Sequence, residues 1–169
     1  PTILATACYP YATKASPNVC VDPHPFDDTQ EKVCNIGSQT LSGQGAPVAV
    51  TKVGQEASTN KILFKISIKN VGKGAVLKPG MDKDDTNILE KCSPLSGGKL
   101  DRKDFDRVKV ESVAIGGVDL FGTGKCGPFA GGSDNLMRLF DDEGFIICTL
   151  DIRDLEGVQS AYTTPLSIE

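Results

Sequence analysis

From Lys61 to Lys69 apolar and polar residues alternate. Ile62, Phe64, Ile66 and Ile68 fall on one side, and Lys61, Lys65, Ser67 and Lys69 on the other. A period of two over this length predicts a half-buried β-strand. Asn70-Val-Gly72-Lys-Gly74 then breaks the pattern with residues that tolerate positive φ and turn the chain. Upstream, Val48–Val53 is rich in β-branched residues and predicts a second strand. The polar stretch Gly54–Asn60 between the two predicts a turn, and the pair a hairpin.

The same pattern recurs more weakly along the chain. Thr29–Val33 and Ala75–Leu77 are candidate short strands. Arg107–Glu111 alternates cleanly, but the apolar parity then moves from Val108 and Val110 to Val113 and Ile115, which predicts a β-bulge near Ser112. Gly116–Phe121 reads as a turn and a short strand, Leu136–Phe140 as a strand, and Asp141–Gly144 as a hairpin turn. Phe145–Ile152 predicts a strand buried on the side of Ile146, Cys148, Leu150 and Ile152. Ala161–Glu169 predicts a final strand, and its Pro165 suggests a sheet edge. Pro10, Pro17, Pro23 and Pro25 exclude a helix from the first 47 residues. Seven to nine short strands at such spacings predict an all-β, antiparallel β-sandwich over residues 48–169, preceded by an irregular, disulfide-tied arm over residues 1–47.

Composition fits this picture. The 169 residues include 18 glycines and 10 prolines, suited to many short strands joined by tight turns. A net charge of −4 and the lack of a basic stripe argue against a nucleic-acid partner. No apolar run approaches the roughly 20 residues that span a bilayer. With neither an initiator methionine nor a signal peptide, the chain reads as a processed or trimmed product.

Six cysteines, Cys8, Cys20, Cys34, Cys92, Cys126 and Cys148, contain no C-x-x-C pair. Their even count and wide spacing suit three disulfides and an oxidising, extracellular location; six buried free thiols is the competing reading. Fifteen connectivities are possible. Proximity favours Cys20–Cys34 and Cys126–Cys148, leaving Cys8–Cys92 to tie the arm to the body.

The run Phe64-x-Ile66-x-Ile68-Lys69-Asn70-x-Gly72-x-Gly74 resembles the strand-turn signature of immunoglobulin-like, adhesion-type modules of archaeal and bacterial secreted surface proteins. The closing Tyr162-x-Thr-Pro-Leu166-x-Ile168-Glu169 is similar to the ends of small secreted archaeal proteins. The resemblance covers Val48–Glu169. It implies an immunoglobulin-like sandwich and a non-enzymatic role in surface layers, adhesins or filaments.

Candidate chemistry is sparse. The single histidine, His24, stands between Pro23 and Pro25, and no G-x-S-x-G elbow accompanies it. Gly122-Thr-Gly-Lys125 is followed by Cys126 and lacks the phosphate-loop spacing. Asp82, Asp84, Asp85 and Asn87 cluster oxygen ligands of the kind calcium takes, without the glycine and glutamate of a calcium loop. Solvated loop charge is the plainer reading, and no other cofactor is expected. Paired carboxylates could serve glycoside hydrolysis, but tryptophan is lacking and aromatics make up 6% of the chain.

Pro1, Thr2, Ile3, Leu4, Ala5, Thr6 and Ala7 carry no charged side chain. Such a segment is expected either to be held in its own sheet or to be lent to a neighbour by β-strand addition, which repeated head to tail builds a homopolymer. The expected function is therefore that of a secreted, non-enzymatic structural protein of the cell surface, an extracellular filament or pilus subunit assembling by β-strand addition. The alternative is a monomeric adhesion module that binds glycans or calcium.

Overall fold

The computed structural model describes residues 2–3, 5–27, 29, 31–79, 91–92, 100–129, 135–155 and 157–169. The calcium candidates Asp82, Asp84, Asp85 and Asn87 lie outside these, as do Pro1 and Leu4.

The alternation of Lys61–Asn70 forms strand β4. Ile62, Phe64 and Ile66 are fully buried and Ile68 nearly so. Burying one such side chain is worth about 1.5–3 kcal/mol. Four on one strand therefore approach the roughly 5–15 kcal/mol net stability of a typical domain. β4 lies at the centre of a five-stranded antiparallel sheet, between β3 (Val48–Ala57) and β10 (Glu143–Asp151). β2 (Gln39–Thr40) flanks β3, and β8 (Cys126–Gly127) flanks β10.

β3 runs on to Ala57, past the turn expected from Gly54. Gly54, Gln55 and Glu56 pair with Lys65, Phe64 and Leu63, and the turn tightens to residues 58–60. A bulge between Val50 and Lys52 resets the parity of β3, so that Val50, Val53 and Gln55 all face inward.

The second sheet has the order β1-β11-β6-β7, made of Asn18–Val21, Tyr162–Ile168, Val113–Ile115 and Val118–Asp119. Val19, Val21, Val113, Ile115, Leu166 and Ile168 share one core with the inward residues of β3, β4 and β10. The two sheets thus pack as a sandwich. A short ribbon, β5 (Arg107–Lys109) with β9 (Leu136–Arg138), adds Met137 to that core.

Several local expectations change in this context. Residues 1–47 are not uniformly irregular, because Asn18–Val21 forms a strand of one sheet, with Ala15 bridged to Ile168 ahead of it, and Gln39–Thr40 a strand of the other. Residues 31–34 form no strand. The parity shift after Val110 marks a crossover from the ribbon to the second sheet, not a bulge within one strand. β11 is an interior strand, between β1 and β6. Leu166 and Ile168 donate their N–H groups toward β1, to Pro17 and Ala15, so Pro165 points its nitrogen to the opposite side. Pairing with β6 begins only at Leu166, so Pro165 costs no ladder bond.

Two turns depend on unusual backbone. Asp141 and Asp142 take φ of 49° and 66° in the two-residue turn joining Phe140 to Glu143, as a right-twisted hairpin requires. Asn70 holds that turn against the end of β4. Its N–H donates to Asp142 O at 2.8 Å and its Nδ2 to Asp142 Oδ1 at 2.9 Å.

Candidate functional site

Three bridges fasten the fold: Cys8–Cys92, Cys20–Cys34 and Cys126–Cys148. Cys126 and Cys148 are directly opposed on β8 and β10, with Cα atoms 4.0 Å apart. Cys20–Cys34 closes a loop that holds His24. That loop has its own internal clamp, in which Lys32 Nζ contacts Asp22 Oδ2 at 2.9 Å and the carbonyls of His24 and Pro25 at 3.0 Å. Asp22 is buried, and its other oxygen accepts the His24 N–H at 2.8 Å. His24 itself is exposed.

The segment ahead of Cys8 is the most exposed apolar part of the described chain. Thr2, Ile3, Ala5, Thr6 and Ala7 are exposed and belong to no strand, and Ile3 is 89% exposed. Tyr9 and Tyr11 follow, edge to face at 6.4 Å and also exposed. Thr13 Oγ1 donates to Val48 O at 2.6 Å. Seven residues further on, Cys20 meets Gln55, again 35 positions away. The constant offset shows that the first strand runs parallel to β3, joined to it by side chains in place of a backbone ladder. Gln39 adds a third contact, from Nε2 to Asn18 O. The outward edge of β1 is thereby closed by glutamines of the opposite sheet, one way of blunting a strand edge.

The outer face of the five-stranded sheet carries a shallow hollow of about 340 Å³. Gly54, opposite Lys65, leaves a gap in the layer of side chains. Ser38, Lys52, Glu56, Leu63 and Ile147 surround it. Beside it the Lys65 ammonium lies 4.4 Å from the Phe145 ring centre. Lys69 and Glu143 are cross-strand partners joined as an ion pair, and the bond to Glu143 raises the Lys69 amine above its ordinary value. The surface thus mixes apolar and charged groups without a buried reactive set.

The expected chemical sites are dispersed. Lys125 of the glycine-rich loop bonds to Asp154, which raises its amine, and stands 3.6 Å from Asp151. Asp119 Oδ1 accepts the N–H groups of Phe121 and Gly122, so this loop spends its donors on itself. Among the described residues no three of His, Cys, Asp and Glu are placed to share a metal ion. No helix of the described residues is long and apolar enough to cross a membrane. Sequence reasoning missed Gln39 and Gln55, because nothing local marks a glutamine as a backbone partner.

Fold and bridges together define a disulfide-bonded, antiparallel all-β protein. No family model, no curated protein and no solved structure matches the chain.

Proposed function

We propose that this chain is a secreted, non-enzymatic structural protein of the cell surface, an immunoglobulin-like sandwich whose copies assemble into an extracellular filament. The donor in this reading is the segment Pro1–Ala7, added as a strand to a neighbouring copy. The observation that carries it is the exposure of that segment. Thr2, Ile3, Ala5, Thr6 and Ala7 are uncharged and solvent-exposed beside a body whose strands turn one apolar face into the core. Covering Ile3 alone is worth about 1.5–3 kcal/mol. Cys8–Cys92 would anchor the donor to the body and transmit load between copies. Three bridges suit an oxidising compartment.

Deleting Pro1–Ala7 tests the reading by size-exclusion chromatography and electron microscopy. The intact chain is expected to polymerise and the deleted one to remain a folded monomer. A monomeric intact chain at every concentration, or polymers that survive the deletion, would overturn it.

The hollow over Gly54 favours a second reading, a monomeric module that binds a glycan, or calcium elsewhere on the chain. It predicts a rise in melting temperature with ligand and a chain that stays monomeric.

A further inference from the structure

Arg107 and Arg138 face each other across the β5–β9 ribbon. The adjoining contacts fix the kind of pair. Leu139 N–H donates to Asp106 O and Val110 N–H to Asn135 O, so the hydrogen-bonded positions are 106 with 139 and 110 with 135. Arg107 and Arg138 therefore occupy a non-hydrogen-bonded position, where Cα atoms approach to about 4.5 Å and side chains lie closest. Like charges directly opposite in this way destabilise a sheet.

Both arginines are half-buried, and no described carboxylate forms an ion pair with either. Asp106, next to Arg107 in the chain, forms no ion pair among the described residues, and Glu111 is engaged by Lys109 at 2.9 Å. The Arg138 guanidinium lies 4.9 Å from the Phe140 ring centre, a cation–π contact that holds its planar fork in place. Two forks of N–H donors on one side of a ribbon, that of Arg138 held by the ring, suit a ligand with several acceptor oxygens and negative charge.

We infer that Arg107 and Arg138 together bind an oxyanion of the sulfate or phosphate class, either a free ion or an ester group on an anionic polysaccharide. The ligand supplies a countercharge that no described residue provides, and neither arginine lines the hollow over Gly54.

The test uses the full chain with Arg107→Gln and Arg138→Gln, and Arg138→Lys as a variant that keeps the charge but not the fork. Without oxyanion, Arg107→Gln is expected to melt about 1–3 °C higher than the parent, by relief of repulsion, and Arg138→Gln to gain less, because it also loses the contact with Phe140. Sodium sulfate is expected to raise the parent's melting temperature beyond sodium chloride of equal ionic strength. Both glutamine variants lose that excess and Arg138→Lys keeps part of it. Dextran sulfate retained by the parent and not by the glutamine variants assigns the site to a polymer-borne group. A sulfate shift without dextran sulfate binding assigns it to the free ion. Sulfate stabilises proteins in general by exclusion from their surfaces, so an equal shift in parent and variants overturns the inference, as does no excess shift in the parent.

Discussion

The side-chain amide of Gln55 bonds to both backbone groups of Cys20. Its Nε2 donates to the Cys20 carbonyl at 2.8 Å, and its Oε1 accepts the Cys20 N–H at 3.2 Å. Both residues are buried, so no water can replace either bond. One glutamine thereby joins the edge of one sheet to the second strand of the other. Gln55→Leu removes both partners and leaves a buried donor and acceptor unsatisfied. The expected loss is about 2–4 kcal/mol in urea unfolding, with an unchanged slope. Gln55→Glu keeps the acceptor, loses the donor and buries a charge, and is expected to be at least as damaging.

Lys32 and Asp22 form the most buried ion pair of the described chain, with side chains 19% and 6% exposed. Lys32→Met strips the countercharge from a buried carboxylate and also frees two carbonyls. A loss of about 3 kcal/mol is expected. Adding Asp22→Asn to that variant is expected to restore part of the loss. A double-mutant cycle by chemical denaturation reads the coupling.

The bridges differ in the chain they close. Cys20–Cys34 spans 14 residues and Cys8–Cys92 spans 84. On chain entropy alone, replacing the first pair by serines is expected to cost about 3 kcal/mol and the second about 4–5 kcal/mol. Thermal unfolding of the two double variants checks the order, Cys8/Cys92 being the more destabilised.

Stability is expected to fall in alkali. Bonding to Asp154 raises the Lys125 amine above its ordinary 10.5, and bonding to Glu143 does the same for Lys69. Burial raises the Tyr162 hydroxyl above 10.0. In each case the folded state holds its proton more tightly than the unfolded chain. The contributions are therefore complete below the unfolded values and lost as pH climbs through the raised ones. At the acid end, the Thr29 hydroxyl and N–H hold the Asp27 carboxyl below its ordinary 3.8, so that contribution is present above 3.8 and lost as pH falls. Melting temperature against pH is expected to drop above about pH 10, and Tyr162→Phe and Lys125→Met each to flatten that drop.

The Asp141–Asp142 turn carries two non-glycine residues in the left-handed region. Asp142 is committed to Asn70, whereas Asp141 is exposed and makes no described side-chain bond. Asp141→Asn, better suited to that conformation, is expected to stabilise by a few tenths of a kcal/mol. Asn70→Ala is expected to cost about 1–2 kcal/mol, because it removes the part-buried side-chain bonds to Asp142 Oδ1, Gly74 O and the Gly72 N–H. Thermal denaturation distinguishes the two signs.

Strand identity was legible wherever one side of a strand meets the core. Burial on one face imposes a period of two on the residues themselves, so the alternation of Ile62 to Ile68 and of Ile146 to Leu150 marked β4 and β10 without any partner in view. Paired glycines and acids likewise marked the hairpin turns. These are properties of a few adjacent residues, and the sequence carries them in full.

What the sequence could not carry is the choice of neighbour. Asn18–Val21 is too short and too flanked by proline to look like a strand, and becomes one because β11 supplies its ladder and Gln39 and Gln55 close its other edge. Pro165 looks like an edge marker and sits inside a sheet, since β6 ends one residue away. Arg107 and Arg138, 31 positions apart, become a charge pair only through the register of two short strands. Local pattern fixes which residues turn inward, but hydrogen-bond partners and charge neighbours are set by contacts between distant segments, which only the assembled sheets bring within reach.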